Sequence, residues 1–290
     1  MPRLPAAPLH HPRRTLAAAA AGAGLLGLGV AWLGREDTLA RLQRAGQLRA
    51  GYAVEAPYAV VLPDGSVGGE SPRTLRHVAA RLGLDRIDWL QLPFEGLIDA
   101  LRARRVDVVS AGLFVTPARA ARVRFADPTL RVRAGLLRRR SAQPPPAAYA
   151  DLARPGAGRI AALQGSVEQE RLATAGLPAA ALLAVPDALA ARAALHNGAA
   201  AAFAISLPAA RMLAMGDAGL EALAIAAGPG LADDWVASAF HPDDASLQRA
   251  WNTAQAGWVG SAEHLALVQG YGFEAADLAT GVTLAQVLGR

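Results

Sequence analysis

The spacing of apolar residues along this chain switches repeatedly between a strand period and a helix period, and that alternation limits what the chain can fold into. A short helical pattern from Thr38 to Gln47 leads into LRAGYAVEAPYAVVL, which reads as a strand and the loop after it. PDGSVGGES is a turn cluster. PRTLRHVAARLG then carries Leu75, Val78, Ala79 and Leu82 at helical spacing and is closed by Gly83. IDWLQLP alternates as a strand, and FEGLIDALRARR sets Leu97, Ile98 and Leu101 on one helical face. VDVVSAGLFV is a nearly continuous apolar strand of the kind enclosed in a parallel sheet. Strands alternating with helices predict an α/β fold.

Residues 129–140, TLRVRAGLLRRR, read as one more strand, after which SAQPPPAAYADLARPGAG breaks the pattern and predicts a boundary. A second α/β set follows. RIAALQGS is a strand running into a Gly-Ser turn, VEQERLATAG and LAARAALHNG are helices, and AAAAFAIS is a strand. WVASAFHPD reads as a strand, and SLQRAWNTAQAGWVGSAEHLALVQGYG as one or two helices. The chain is long enough for two cores of medium size. Two such lobes would hold a ligand in the cleft at the carboxyl ends of their strands.

Composition removes several chemistries. There is no cysteine, hence no disulfide and no thiolate metal site or nucleophile. The six histidines show no ligand spacing, so neither a metal nor another cofactor is expected. The net charge of +5 comes entirely from arginine. Its only tight run, Arg138-Arg139-Arg140, lacks interleaved aromatics, which argues against nucleic acid as a partner. Residues 1–36 join a basic, Pro-rich leader to RRTLAAAAAGAGLLGLGVAWLG, the layout of an export signal, with Arg13-Arg14 loosely like a twin-arginine signal. An uncleaved anchor is the other reading of this apolar run. Either way the bulk of the chain is expected outside the cytoplasm, in the periplasm.

GLFVTPARAARVRFADP, residues 112–128, carries the clearest chemical signal. Thr116 is a good N-cap and Pro117 suits the first helical position, which puts Arg119 in a first turn where a cation is unwelcome. An anionic ligand beside Arg119 would resolve the conflict.

Together, FEGLIDALRARRVDVVSAGLFVTPARAARVRFADP and the earlier Gly51–Pro57 segment resemble the amino-acid type (family 3) of extracytoplasmic solute-binding proteins that serve ABC importers. The resemblance spans roughly residues 46–275. It implies a two-lobed, type II periplasmic-binding-protein-like fold with two crossing strands, residues 37–137 and 237–290 forming lobe 1 and 138–236 lobe 2. It also implies a monomer that partners a membrane permease, and an arginine, here Arg119, that grips a ligand carboxylate.

The departures narrow the ligand. The family's Gly-x-x-Asp-Ala segment, whose carboxylate holds an α-ammonium, is replaced by GAAAAFAIS, residues 198–206. With Glu55-Ala56-Pro57-Tyr58 and Gly69-Glu70-Ser71-Pro72, the chain is similar to the ectoine/hydroxyectoine-binding branch. On that resemblance Arg119 would take the carboxylate with Gly165 and Ser166, and Glu55 would accept from the amidinium. Tyr58, Phe94 and Phe114 would wall the ring, and Ser206 would reach it from the second lobe. A polar amino acid is the alternative ligand.

An exported dehydratase of cyclic acids on the same fold is the rival in another class, with Glu168 or Glu170 as the proton donor or acceptor. Acids in the first turn of VEQERLATAG also suit a helix dipole with no chemistry attached. Gly165-Ser166-Val167 lacks the second glycine of a nucleophile elbow, which disfavours a hydrolase. A tethered sensory domain would need a separate output partner. Binding, not catalysis, is the expectation.

Overall fold

A computed structural model describes residues 37–141, 143–226 and 233–289. The expected export signal or anchor, residues 1–36, lies outside the described residues. No helix among the described residues is long and apolar enough to cross a membrane.

The described chain forms two five-stranded sheets, each flanked by helices. In the first sheet the order is Arg86–Gln91, Gln47–Tyr52, Val108–Val109, Ala239–Phe240, Arg124–Phe125. The first three strands are parallel, and Ala239–Phe240 runs antiparallel to both its neighbours. In the second sheet the order is Leu182–Val185, Ile160–Leu163, Ala202–Ser206, Ala134–Arg139, Leu220–Ala224. Its first three strands are parallel and its last two antiparallel. Every residue of Ile160–Leu163 and Ala202–Ser206 is buried, as their unbroken apolar runs predict, while the edge strand Arg86–Gln91 keeps its polar residues outward.

Two short strands, Leu130–Val132 and Asp234–Val236, pair antiparallel and carry the chain between the sheets. This is the type II periplasmic-binding-protein architecture. The single strand expected over 129–140 is therefore two. Leu130–Val132 crosses, and Ala134–Arg139 lies wholly in the second sheet, so the crossing falls before the expected division after residue 137. WVASAFHPD divides likewise into a crossing strand and Ala239–Phe240. Local composition does not distinguish these cases, because both halves of each run are apolar and buried.

The helix expected after the first turn cluster is Glu70–Arg81, with Leu75, Val78 and Ala79 buried against the first sheet. SLQRAW… resolves into two helices, Ala245–Gln255 and Ala262–Gln269. One hydrophobic cluster crosses the lobe boundary. In it Tyr58 and Phe114 join Leu137, Phe203 and Ile205 of the second lobe, with Leu130, Val132 and Val236 of the crossing strands between them.

Candidate functional site

Arg119 is placed by its neighbours in sequence. Thr116 is extended and its hydroxyl accepts the Arg119 backbone N–H at 3.1 Å, while Pro117 opens a helix of only four residues, Pro117–Ala120. The segment before it is fixed to the second crossing strand, with Val115 N–H donating to Trp235 O at 2.8 Å and Phe114 bridging to Val236. So held, the guanidinium spans the lobes. It donates to Phe114 O at 3.0 Å in its own lobe and to Gly165 O at 3.0 Å in the other. Two of five N–H groups are used, which leaves three for a ligand. Burial lowers the pKa of Arg119, and the surrounding carboxylates, Glu168 first, oppose that. Since so short a helix aligns few peptide dipoles, anion binding here rests on the guanidinium rather than on the helix N-terminus.

A cleft of about 580 Å³ opens between the lobes. The first lobe contributes Glu55 and Phe94, and the second contributes Leu163, Asp187 and Leu189. Phe94 presents its ring to Arg119, with the guanidinium carbon 5.7 Å from the ring centre. Glu55 sits in a loop whose shape is set by a reciprocal backbone pair, each of Glu55 and Ala59 donating to the other's carbonyl at 2.9 Å. Its carboxyl is buried, and no side chain among the described residues donates a hydrogen bond to it. Burial, then repulsion from Glu168, pushes its pKa up to about 8, against the pull of Arg119.

Tyr58 and Phe114 stand apart from that cleft. They pack edge to face with centroids 6.4 Å apart, and Tyr58 also leans on Phe273 at 5.8 Å. The Tyr58 O–H donates to Ser206 Oγ at 3.0 Å across the lobe boundary. Ser206 in turn caps the helix Leu207–Ala214. Gly112 makes room for this ring, since its φ is +67° and a Cβ there would overlap the Tyr58 side chain. Ser166 caps Val167–Thr174 by accepting the Gln169 N–H at 3.2 Å. Gly165, with φ +75°, approaches Glu95 so closely that a Cβ would stand 2.9 Å from that residue's Cβ.

The structure therefore places Glu55 and Phe94 on the cleft, while Arg119, over the Phe94 ring and bonded to the Gly165 carbonyl, stands outside its lining. Tyr58, Phe114 and Ser206 meet behind them as a contact between lobes, and Ser166 serves as a helix cap. Two features escaped the sequence reading. Glu168, the second residue of Val167–Thr174, is buried, and its pKa is raised by burial and then by Asp234. Arg171 and Asp234 form a two-pronged ion pair at 2.7 and 2.6 Å that ties this helix to the second crossing strand. A first-turn glutamate carries no local sign of its burial, and the Arg171–Asp234 pair joins residues far apart in sequence.

Comparison with known proteins bears on this arrangement. The family of bacterial extracellular solute-binding proteins, family 3, matches residues 48–273. A probable amino-acid ABC transporter periplasmic-binding protein, y4tE of Sinorhizobium fredii, is 26% identical over 242 residues, covering 81% of this chain and 80% of that protein. Among solved structures, EhuB in complex with hydroxyectoine superposes with a TM-score of 0.77 at 27% identity, over 82% of this chain and 93% of that one. The ancestral amino acid-binding protein AncCDT-1, a precursor of cyclohexadienyl dehydratase, superposes at 0.71 with 20% identity, over 81% of this chain and 99% of that one, a likeness of fold.

Proposed function

Because the chain belongs to family 3 of the bacterial extracellular solute-binding proteins, which feed ABC transporters, we propose that its own cargo is a small zwitterion, ectoine or hydroxyectoine, captured in the periplasm. The observation that carries this reading is the separation of charge at the cleft. The enclosed Glu55 offers an acceptor in the cleft lining, and Arg119, over the Phe94 ring that lines the same cleft, has N–H groups beyond the two given to backbone carbonyls. A carboxylate would lie on Arg119, reached also by the Ser166 hydroxyl, and a delocalised amidinium would face Glu55, while Gly165 serves by holding Arg119 through its carbonyl. Each charge-assisted hydrogen bond of this kind contributes about 1.5–3 kcal/mol. Likeness to a protein solved with hydroxyectoine supports the ligand class.

Calorimetric titration of the purified protein with ectoine, hydroxyectoine, glutamine and arginine tests the reading. Binding of ectoine or hydroxyectoine, with loss in Arg119→Ala, is the expected result. Binding of an amino acid alone would overturn the ligand while leaving the transport role intact.

A further inference from the structure

A small cavity lies where both crossing strands meet the first lobe. Its polar lining is Glu70, Ser71, Thr74, Ser110, Thr129 and Ser238, and every residue around it is buried. Thr129 directly precedes the crossing strand Leu130–Val132, and Ser238 follows the other, Asp234–Val236, by two residues. Glu70, Ser71 and Thr74 come from the start of the helix Glu70–Arg81, and Ser110 lies just after Val108–Val109. The free space inside is about 10 Å³, which takes one water-sized guest and no more.

Glu70 is 0% exposed, yet no arginine or histidine side chain pairs with it among the described residues. Its two oxygens accept from the Ser71 hydroxyl at 2.7 Å and the Thr74 hydroxyl at 3.0 Å. The Ser71 Oγ also receives the Gly112 N–H at 3.0 Å, and the Ser110 hydroxyl donates to Ser71 O at 2.8 Å. The hydroxyl protons of Ser71, Thr74 and Ser110 are thus committed to neighbours, and what those oxygens still offer a guest is lone pairs. Burial pushes the Glu70 pKa up to about 7, even though both hydroxyls favour the ionised form. Tyr58, which senses the Glu70 charge, is a neutral phenol that donates to Ser206. The N-terminus of the helix that carries Glu70 offers only about half a positive charge. An enclosed carboxylate is ordinarily offset by a whole one, from a side chain or a metal ion.

We propose that this cavity binds one monovalent cation of sodium's size, held by the Glu70 carboxylate and the hydroxyl oxygens around it, and that the ion pins both crossing strands to the first lobe. A single carboxylate balances a single positive charge, and neutral oxygens complete the shell that a hard ion takes. Water would also suit the lone pairs, but it would leave the carboxylate charge unmatched. The oxygens come from separate segments of the chain, so no spacing in the sequence marks the site. It shares no lining residue with the cleft between the lobes, so the ion does not depend on which cargo that cleft takes.

Melting of the full-length protein at about pH 8, in about 0.1 M sodium chloride and in about 0.1 M choline chloride, tests the site, because choline is too large to enter and the ionic strength is the same. Sodium should raise the melting temperature of the wild type by about 3 °C, in a saturable manner, and the protein should broaden the sodium NMR resonance. Glu70→Gln should melt at one temperature in both salts and leave the resonance narrow. Ser238→Ala keeps the carboxyl and the hydrogen bonds above, and should need roughly fivefold more sodium for half the shift. Should Glu70→Gln not fold, Ser238→Ala carries the comparison. Equal melting of the wild type in the two salts would mean that water, not an ion, fills the cavity, and would overturn the proposal. A sodium effect undiminished in the variants would place the ion elsewhere and overturn it as well.

Discussion

At the scale of single residues, the site depends on positions where one side chain, or the lack of one, leaves no alternative. Gly112 combines a left-handed backbone with direct overlap between any Cβ and the Tyr58 ring. Gly112→Ala should therefore cost at least about 2 kcal/mol, from strain and from displacing the aromatic pair. Thermal denaturation checks this, and a melting temperature within about 2 °C of wild type would contradict it. Arg119 was legible in the sequence because a Thr-Pro start dictates where the first turn begins, and a cation there is out of place. Its carbonyl partner Gly165 was not legible as such, since nothing local says how two distant loops face each other. The burial of Glu168 was not legible for the same reason. The dipole argument that explains an acid in a first turn holds equally for an exposed and a buried one.

At the scale of elements, the helices Glu70–Arg81 and Ala262–Gln269 are joined through a stack of rings. His77 lies on Trp258 with centroids 4.0 Å apart, and His264 leans on the same indole at 4.4 Å. His264 is fully buried, its Nδ1 accepts the Gly260 N–H at 3.2 Å, and Nε2 has no partner among the described residues. Burial, aided by repulsion from His77, lowers its pKa to about 4, below the roughly 6.5 of an unfolded histidine. The unfolded chain therefore binds this proton first. The stability that neutral His264 confers is whole above pH 6.5 and is lost as the pH falls toward 4, by roughly 2–3 kcal/mol. Glu55 and Glu70, whose pKa values are raised to about 8 and about 7, act in the opposite sense as the pH falls. The readable quantity is thus the difference in denaturant stability between wild type and His264→Gln, which should shrink over that window. A pH-independent difference would refute it. The period of the apolar residues revealed most of these helices and the long buried strands. It was silent over Leu207–Ala214 and Leu220–Ala224, and it joined strands that the fold separates, because a crossing strand and a sheet strand need the same buried apolar residues.

At the scale of the whole molecule, the two lobes are held face to face by the Arg119–Gly165 contact, the apolar cluster around Tyr58 and the Tyr58–Ser206 hydrogen bond. Tyr58→Phe keeps the ring and removes only the last of these. It should cost the closed arrangement about 1 kcal/mol, read as a roughly fivefold loss of ligand affinity with little change in melting temperature. An unchanged affinity would mean that the hydrogen bond does not contribute to closure. The lobes also differ in how the chain builds them. All five strands of the second sheet lie within residues 134–224, whereas the first sheet needs Ala239–Phe240 inserted between Val108–Val109 and Arg124–Phe125. A fragment spanning 134–226 should unfold cooperatively by itself, and one spanning 37–133 should not, as circular dichroism melts would show. On the ribosome, then, the lobe whose residues emerge first is the lobe completed last. A chain caught partway through synthesis has a finished second lobe and a first lobe whose sheet still lacks an interior strand.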